Sequence, residues 1–279
     1  MKDFAPPPGT VARVVRAALA EDLGVVGDVT STAVVPAGSR AVGRFVARDR
    51  GVLAGVACVV ETFRRVDPEL GVTFTARDGD TVEPGQVLGE VRGETRSILA
   101  GERVALNLMC HLSGVATATR AFVDAAGAGT RILDTRKTVP GLRALQRAAV
   151  RAGGGHNHRD SLSDAVLLKD NHIAVVGITG AVRRARAQWP GRMVEVECEK
   201  LDQVIEAVEA GADRVMLDNM TPEAVRDAVD KVAGRADLEV SGRISLDSVG
   251  EYAATGVDFI SIGAITHSVR VLDIGLDLD

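Results

Sequence analysis

Cysteine, aromatic residues and lysine are all scarce in this chain, and each shortage removes a class of function. The three cysteines, Cys58, Cys110 and Cys198, lie far apart and form no CxxC pair. That argues against a disulfide framework and a cysteine zinc site, and it fits a reducing cytoplasm. Aromatic residues make up 3% of the chain, too few for a platform that stacks single-stranded bases. The net charge of −5 lacks the basic face that nucleic-acid binding requires. The longest apolar run, residues 52–60, is too short to span a bilayer and is interrupted by Gly55. The opening nine residues hold no apolar signal core, so the expected location is cytoplasmic, with no membrane partner. Lysine supplies five of the 33 basic residues. Arginine is thus the default surface cation, and each lysine stands out.

What is present is ordinary for a globular protein: 279 residues, 46% hydrophobic, 25% charged. At roughly 150 residues per domain this is one large or two modest domains. The first part reads as mixed α and β. A helix is expected over 11–23, a loop over 24–30, strands over 41–47 and from 51, and a helix over 56–66. Short strands over 72–76 and 86–92 flank the turn signals Asp78-Gly79-Asp80 and Glu83-Pro84-Gly85. A long helical region over 102–126 is expected to break near Ser113-Gly114. The stretch 78–88 resembles the hairpins of biotinyl and lipoyl carrier modules. Such modules need an exposed turn lysine, and residues 3–136 contain none, so it reads as scaffold.

From Thr130 onward short apolar runs alternate with helical stretches. The runs are 131–134, 165–168, 193–196, 214–217, 238–240 and 259–262. The helices between them are 142–151, 179–188, 201–210, 222–232 and 246–254. This alternation specifies βα units and a parallel sheet. Six strands fall short of the usual eight, so the barrel is incomplete or borrows from the preceding helical region.

Nearly every one of these strands ends in polar residues. The ends read Asp134-Thr135-Arg136-Lys137, Lys169-Asp170-Asn171-His172, Glu195-Val196-Glu197, Asp218-Asn219, Ser241-Gly242 and Gly263. Strand C-termini of a βα barrel converge on the active-site face. Charges there must pair with one another, a metal or a ligand. Ion pairing that closes the barrel mouth is the competing reading for the set. For a single residue such as Glu195 or Asp134 a structural role is the commoner outcome. Arg136, Lys137, Arg159 and Lys169, with His158 beside them, suit an anionic substrate. Glu197 and Asp218, on neighbouring strands, suit Mg²⁺ or sugar hydroxyls. Ser241-Gly242 and Gly263 suit a phosphate. The Gly153-Gly154-Gly155-His156-Asn157-His158-Arg159 loop could cradle an anion, and its HxH pair alone is poor support for zinc. No nucleophilic triad is visible.

The segments Thr135-Arg136-Lys137-Thr138-Val139-Pro140-Gly141-Leu142-Arg143, Gly153–Arg159 and Leu168-Lys169-Asp170-Asn171-His172 closely resemble the quinolinate phosphoribosyltransferase family. Glu195-Val196-Glu197, Met216-Leu217-Asp218-Asn219-Met220 and Gly263-Ala264-Ile265-Thr266-His267-Ser268 match it too. The resemblance runs from about Val11 to Leu278 in family order. It implies an α/β protein with an N-terminal α/β sandwich domain and a C-terminal incomplete α/β (TIM-like) barrel. The expected domains are 1–112 and 113–267, with 268–279 returning to the first. It implies conversion of quinolinate and phosphoribosyl pyrophosphate to nicotinate mononucleotide, pyrophosphate and CO₂, with Mg²⁺, in NAD biosynthesis. Arg103, Arg136, His158, Arg159 and Lys169 would hold the quinolinate carboxylates, Arg103 coming from the partner subunit of a homodimer. Lys137 would face the pyrophosphate or ribose phosphate end, forming the catalytic set with Lys169, Glu197 and Asp218. Glu197 and Asp218 would engage ribose hydroxyls and the metal. Ser241, Gly242, Gly263 and His267 would hold the 5-phosphate.

One position departs from the family pattern: Ser241-Gly242-Arg243 stands where Ser-Gly-Gly is usual. If that position needs a positive φ, arginine is strained there. If not, Arg243 adds a cation near the phosphate. The rival readings are a same-fold transferase for another pyridine such as nicotinate, and a non-catalytic ligand-binding paralogue. The number of cations favours a dicarboxylate.

Overall fold

The computed structural model describes residues 4–7 and 9–279. Part of the opening segment read above for a secretory signal lies outside the described residues. The chain begins with helices α1 (Thr10–Leu23) and α2 (Val29–Val34) and strands β1 (Arg40–Ala47) and β2 (Gly51–Val52). Helix α3 (Val56–Val66), strands β3 (Gly71–Phe74), β4 (Thr81–Val82) and β5 (Val87–Glu94), and helix α4 (Thr95–Ala126) follow. Next come β6 (Arg131–Leu133), α5 (Arg143–Ala152), β7 (Val166–Leu168), α6 (Asp170–Val176), α7 (Ile178–Gln188), β8 (Val194–Cys198) and α8 (Leu201–Glu209). The remainder is β9 (Arg214–Asp218), α9 (Pro222–Val232), β10 (Asp237–Ser241), α10 (Val249–Ala253), β11 (Phe259–Ser261), α11 (Ala264–His267) and β12 (Ile274–Leu278). Two compact units result: residues 1–120, 138–154 and 264–279, and residues 121–137 and 155–263.

The first unit is built on an antiparallel sheet of order β12-β1-β5-β3. Period-two alternation sends Phe45 and Ala47 of β1 into the core, with Leu88 and Val91 of β5. Phe45 stacks on Phe74 with centroids 5.2 Å apart and meets Phe63 of α3 at 6.1 Å. Helix α3 presents Val59, Thr62 and Phe63 to this core, the i, i+3, i+4 spacing of an amphipathic helix. Segment 78–88 is packed scaffold: β4 pairs with β2, and Val52 and Val82 are buried. Gln146 of α5, fully buried, donates to the Thr266 carbonyl at 2.7 Å and lies 3.0 Å from His111 Nε2.

Two local expectations are corrected. Helix α4 does not break at Ser113-Gly114 but runs through to Ala126. Ser113 Oγ accepts the Ala54 N–H at 2.9 Å and donates to the Ala54 carbonyl at 3.1 Å, so the hydroxyl serves a neighbouring segment. Gly114 is a point of close approach: a Cβ there would meet the Arg270 carbonyl oxygen at 2.3 Å. The loop expected over 24–30 ends early, because Asp28 Oδ1 accepts the Ser31 N–H at 2.9 Å and caps α2.

The second unit carries a parallel sheet of order β6-β11-β10-β9-β8-β7. Helices follow its strands, and the strands are largely buried, with charged side chains of β8, β9 and β10 gathered on one face. Among the described residues β6 and β7 do not pair with each other, so the barrel is open. Leu133 makes a single parallel bridge to His156 at that margin. The protein is an α/β protein with an N-terminal antiparallel-sheet domain and a C-terminal, barrel-like parallel α/β domain. No helix among the described residues is long and apolar enough to cross a membrane.

Candidate active site

Strand periodicity puts the polar side chains of the second unit's strands on one face of the sheet. Glu195 and Glu197 are two apart on β8 and therefore share a face. The register places Glu195 opposite Arg214, Ser241 opposite Asp218 and Ser261, and Glu239 opposite Phe259. Glu195, Arg214 and Glu239 form a floor with His158. Glu197, Asp218, Ser241 and Ser261 follow on the same strands toward their C-termini and line a cleft of about 580 Å³.

The floor is a closed ion cluster. His158 Nε2 lies 3.0 Å from Glu195 and 3.4 Å from Glu239, and both carboxylates are fully buried. Arg214 reaches Glu239 at 3.2 Å and stacks over the Phe259 ring at 3.9 Å. Ser261 Oγ donates to Glu239 at 2.5 Å. Burial opposes charge on Glu239, but His158, Ser261 and Arg214 outweigh it and hold this carboxyl below the usual range. Burial, then the nearby Glu239, pushes the Glu195 carboxyl up. Burial also opposes charge on His158, while the two carboxylates raise it to about 10. The backbone N–H of Arg159 points at His158 Nδ1 at 2.7 Å, which ties the ring to the segment that carries Arg159. His158, Glu195 and Glu239 are close enough together to hold a metal. Arg214 already supplies positive charge there, and the cluster reads as structural.

Asp134, at the end of β6, is buried and also structural. It accepts the His158 N–H at 2.8 Å and Asn157 Nδ2 at 2.6 Å, tying the glycine-rich loop to the sheet. His156 is exposed, and its backbone N–H donates to Ile132 at 2.8 Å.

Arg136, Lys137, Arg159 and Lys169 line the cleft together with His158. Burial, then the like charge of Arg136, lowers the Arg159 pKa. Cations held this close favour an anion between them. Lys169 starts α6, donating its backbone N–H to His172 Nδ1 at 3.0 Å, so His172 serves as a capping residue. Lys169 Nζ pairs with Glu197 Oε2. Asp218 accepts Asn219 Nδ2 at 2.6 Å. Ser241, Gly242 and Arg243 form the remaining margin. Arg243 has φ +51°, the left-handed conformation.

All residues lining this cleft belong to the second unit, as does Gly263, which is not among them. Arg103 (on α4) and His267 (on α11) belong to the first. Sequence reasoning missed Arg214 and Glu239, and it placed Ser261 at the end of the sixth strand without a role. A charged residue inside a short apolar strand, as at Glu239, was the available signal.

Fold and cleft define the class: an α/β enzyme with a cation-lined cleft at the strand C-termini of an open barrel. Residues 28–113 match the family model of the quinolinate phosphoribosyl transferase N-terminal domain, and residues 115–277 that of its C-terminal domain. The chain is 46% identical over 271 residues to a nicotinate-nucleotide pyrophosphorylase [carboxylating] of Mycobacterium leprae, covering 95% of each chain. It is 44% identical over 262 residues to a probable enzyme of the same name from Bacillus subtilis, covering 92% of this chain and 90% of the other. The solved nicotinate-nucleotide pyrophosphorylase of Francisella tularensis is 39% identical, with a TM-score of 0.96 and 100% of both chains covered. The chain belongs to the quinolinate phosphoribosyltransferase family.

Proposed function

We propose that this chain transfers the phosphoribosyl group of phosphoribosyl pyrophosphate to the ring nitrogen of quinolinate. Loss of one carboxylate then gives nicotinate mononucleotide, pyrophosphate and CO₂ for NAD biosynthesis. The observation that carries this reading is the cleft's division into a cationic side, Arg136, Lys137, Arg159 and Lys169, and an acidic pair, Glu197 and Asp218.

In this reading Arg136, Arg159 and Lys169 hold the two carboxylates of quinolinate, with Arg103 of a partner subunit completing the set in a homodimer. His158 acts at the same end, its ring held by the floor cluster. As the bond from the anomeric carbon to pyrophosphate lengthens, positive charge builds on the ribose. Glu197 and Asp218 stabilise that charge and Lys137 the departing pyrophosphate. The ring nitrogen takes the anomeric carbon and becomes cationic. It then accepts the electron pair of the adjacent carbon–carboxylate bond, CO₂ departs, and a proton replaces it on the ring. Ser241, Gly242, Gly263 and His267 hold the 5-phosphate. The protein's own contribution is positioning and exclusion of water.

The donor set at the acidic pair fits Mg²⁺. Glu197 and Asp218 present carboxylate oxygens from the neighbouring strands β8 and β9, and both are partly exposed to the cleft. When bound, the ion would neutralise pyrophosphate charge. The domains of this reading are 1–112 with 268–279, and 113–267, and its compartment is the cytoplasm.

The test incubates the protein with Mg²⁺, phosphoribosyl pyrophosphate and carboxyl-labelled quinolinate, with nicotinate in a parallel tube. Labelled CO₂ and nicotinate mononucleotide from quinolinate alone are expected. Product from nicotinate alone would replace this reading with the other-pyridine one. Silence in both tubes from folded protein would favour a ligand-binding paralogue.

A further inference from the structure

We propose that Arg243 is a specificity-determining ligand for the 5-phosphate end of the sugar donor, an inference that rests on the phosphoribosyl-transfer reading. Arg243 follows β10 directly and holds φ +51°, a conformation that non-glycine residues seldom adopt. Local packing imposes it. Asn219 donates its N–H to the Ser241 carbonyl at 2.9 Å, and a Cβ on Gly242 would meet Asn219 Oδ1 at 2.4 Å. The ends of β9 and β10 are locked together, and the next residue must turn sharply. Glycine would make this turn without strain. The arginine here keeps the strain, and what it adds is a guanidinium. Strain retained at a cleft points to a role for the side chain.

That guanidinium is available for a ligand. Arg243 is exposed and, among the described residues, has no hydrogen-bond or ion-pair partner. It lines the cleft beside Ser241 and Gly242, and it also lines an adjacent cavity of about 340 Å³, so it has room to move. The charge layout shows where it is needed. Arg136 and Lys137 follow β6 and Lys169 follows β7, and these are the two end strands of the sheet. Ser241, on β10, has Asp218 as its register neighbour, and that carboxylate repels a phosphate. Among the lining residues Arg243 is the cation on this side. An arginine binds phosphate through two parallel hydrogen bonds and offsets Asp218.

The test compares the wild-type enzyme with Arg243→Gly and Arg243→Lys. Glycine suits the backbone, so Arg243→Gly folds at least as well as wild type, and its effects report the lost side chain. The KM for phosphoribosyl pyrophosphate is expected to rise about tenfold in Arg243→Gly, with the KM for quinolinate within about twofold. Arg243→Lys recovers part of the loss. Calorimetric titration supplies arms that need no turnover. Ribose 5-phosphate, which lacks both pyridine and pyrophosphate, weakens about tenfold in Arg243→Gly, while pyrophosphate binds as before. Unchanged affinity for ribose 5-phosphate and an unchanged donor KM would overturn the proposal. So would a loss confined to pyrophosphate, which would move Arg243 to the leaving group. An inactive wild-type enzyme would defeat the function reading, and the ribose 5-phosphate titration would still decide this one.

Discussion

His158 Nε2 stands 3.0 Å from Glu195 Oε2 beneath the cleft, while His158 Nδ1 takes the backbone N–H of Arg159 at 2.7 Å. Both nitrogens of one buried ring are committed, one to the floor of the barrel and one to the strand of chain that carries a cleft arginine. The floor therefore fixes where Arg159 starts.

Glu239 completes that floor by pairing with His158 and Arg214. Glu239→Ala leaves three donor groups, those of His158, Arg214 and Ser261, without it and should cost about 3–5 kcal/mol of unfolding free energy. Glu239→Gln keeps an acceptor for Ser261 and should cost less. Urea unfolding of both variants checks this; an unshifted Glu239→Ala midpoint would mean the cluster contributes nothing.

Arg136 lines the cationic side of the cleft. On the proposed role of Arg136 as a carboxylate partner, Arg136→Ala should lower kcat/KM for quinolinate about 100-fold. The KM for the sugar donor should stay near wild type. Arg136→Lys keeps the charge but not the fork and should recover only part of the loss. Steady-state kinetics with each substrate varied separates these outcomes.

Gly114 sits mid-helix where a Cβ would lie 2.3 Å from the Arg270 carbonyl oxygen. Gly114→Ala gains helix propensity but forces backbone apart, so a net loss of about 1–3 kcal/mol is expected. At Gly129 a Cβ would meet nothing within 4 Å, and Gly129→Ala should leave the melting temperature nearly unchanged. Equal melting temperatures for the two variants would refute the close-approach account.

Cys58 is buried, and burial followed by the nearby Asp78 pushes its thiol up to about 12 from a usual 9.0. The folded state holds the protonated form and the unfolded chain ionises first. Stability from this group is present below pH 9 and is lost as pH rises from there toward 12. Between pH 8 and pH 10 the wild type should lose about 1 kcal/mol more than Cys58→Ala. Parallel denaturation curves at the two pH values test this, and identical pH slopes would count against it.

Much of the architecture was legible in the residues. Each of the six short runs after Thr130 became a strand of the parallel sheet, because β-branched and apolar residues recur there between helical stretches. Arg136, Lys137, Arg159, Lys169, Glu197 and Asp218 could be grouped from their places at strand ends, since parallel strands converge at one face. Helix α4 was misread at Ser113-Gly114 because small polar residues signal a break only when they serve their own backbone. Here they serve neighbours that are distant in sequence. The floor cluster was hidden for the same reason. Glu195, Arg214 and Glu239 come from three separate strands, and only the folded sheet gathers them around His158.

The sequence by itself determined the periodicities, and with them the βα order and the cation-rich strand ends, because those depend on spacing along one chain. Family membership followed from the same linear motifs. Tertiary structure alone decided which charges would be partners and which would remain for ligands. Glu195 and Glu197 are chemically identical and two residues apart, yet one is sealed against His158 and the other opens to the cleft. Two residues of strand rise separate a carboxylate that holds the fold from one that faces the cleft. At Arg243 the sequence left strain and charge as alternatives, and the backbone turn after β10 gave both at once.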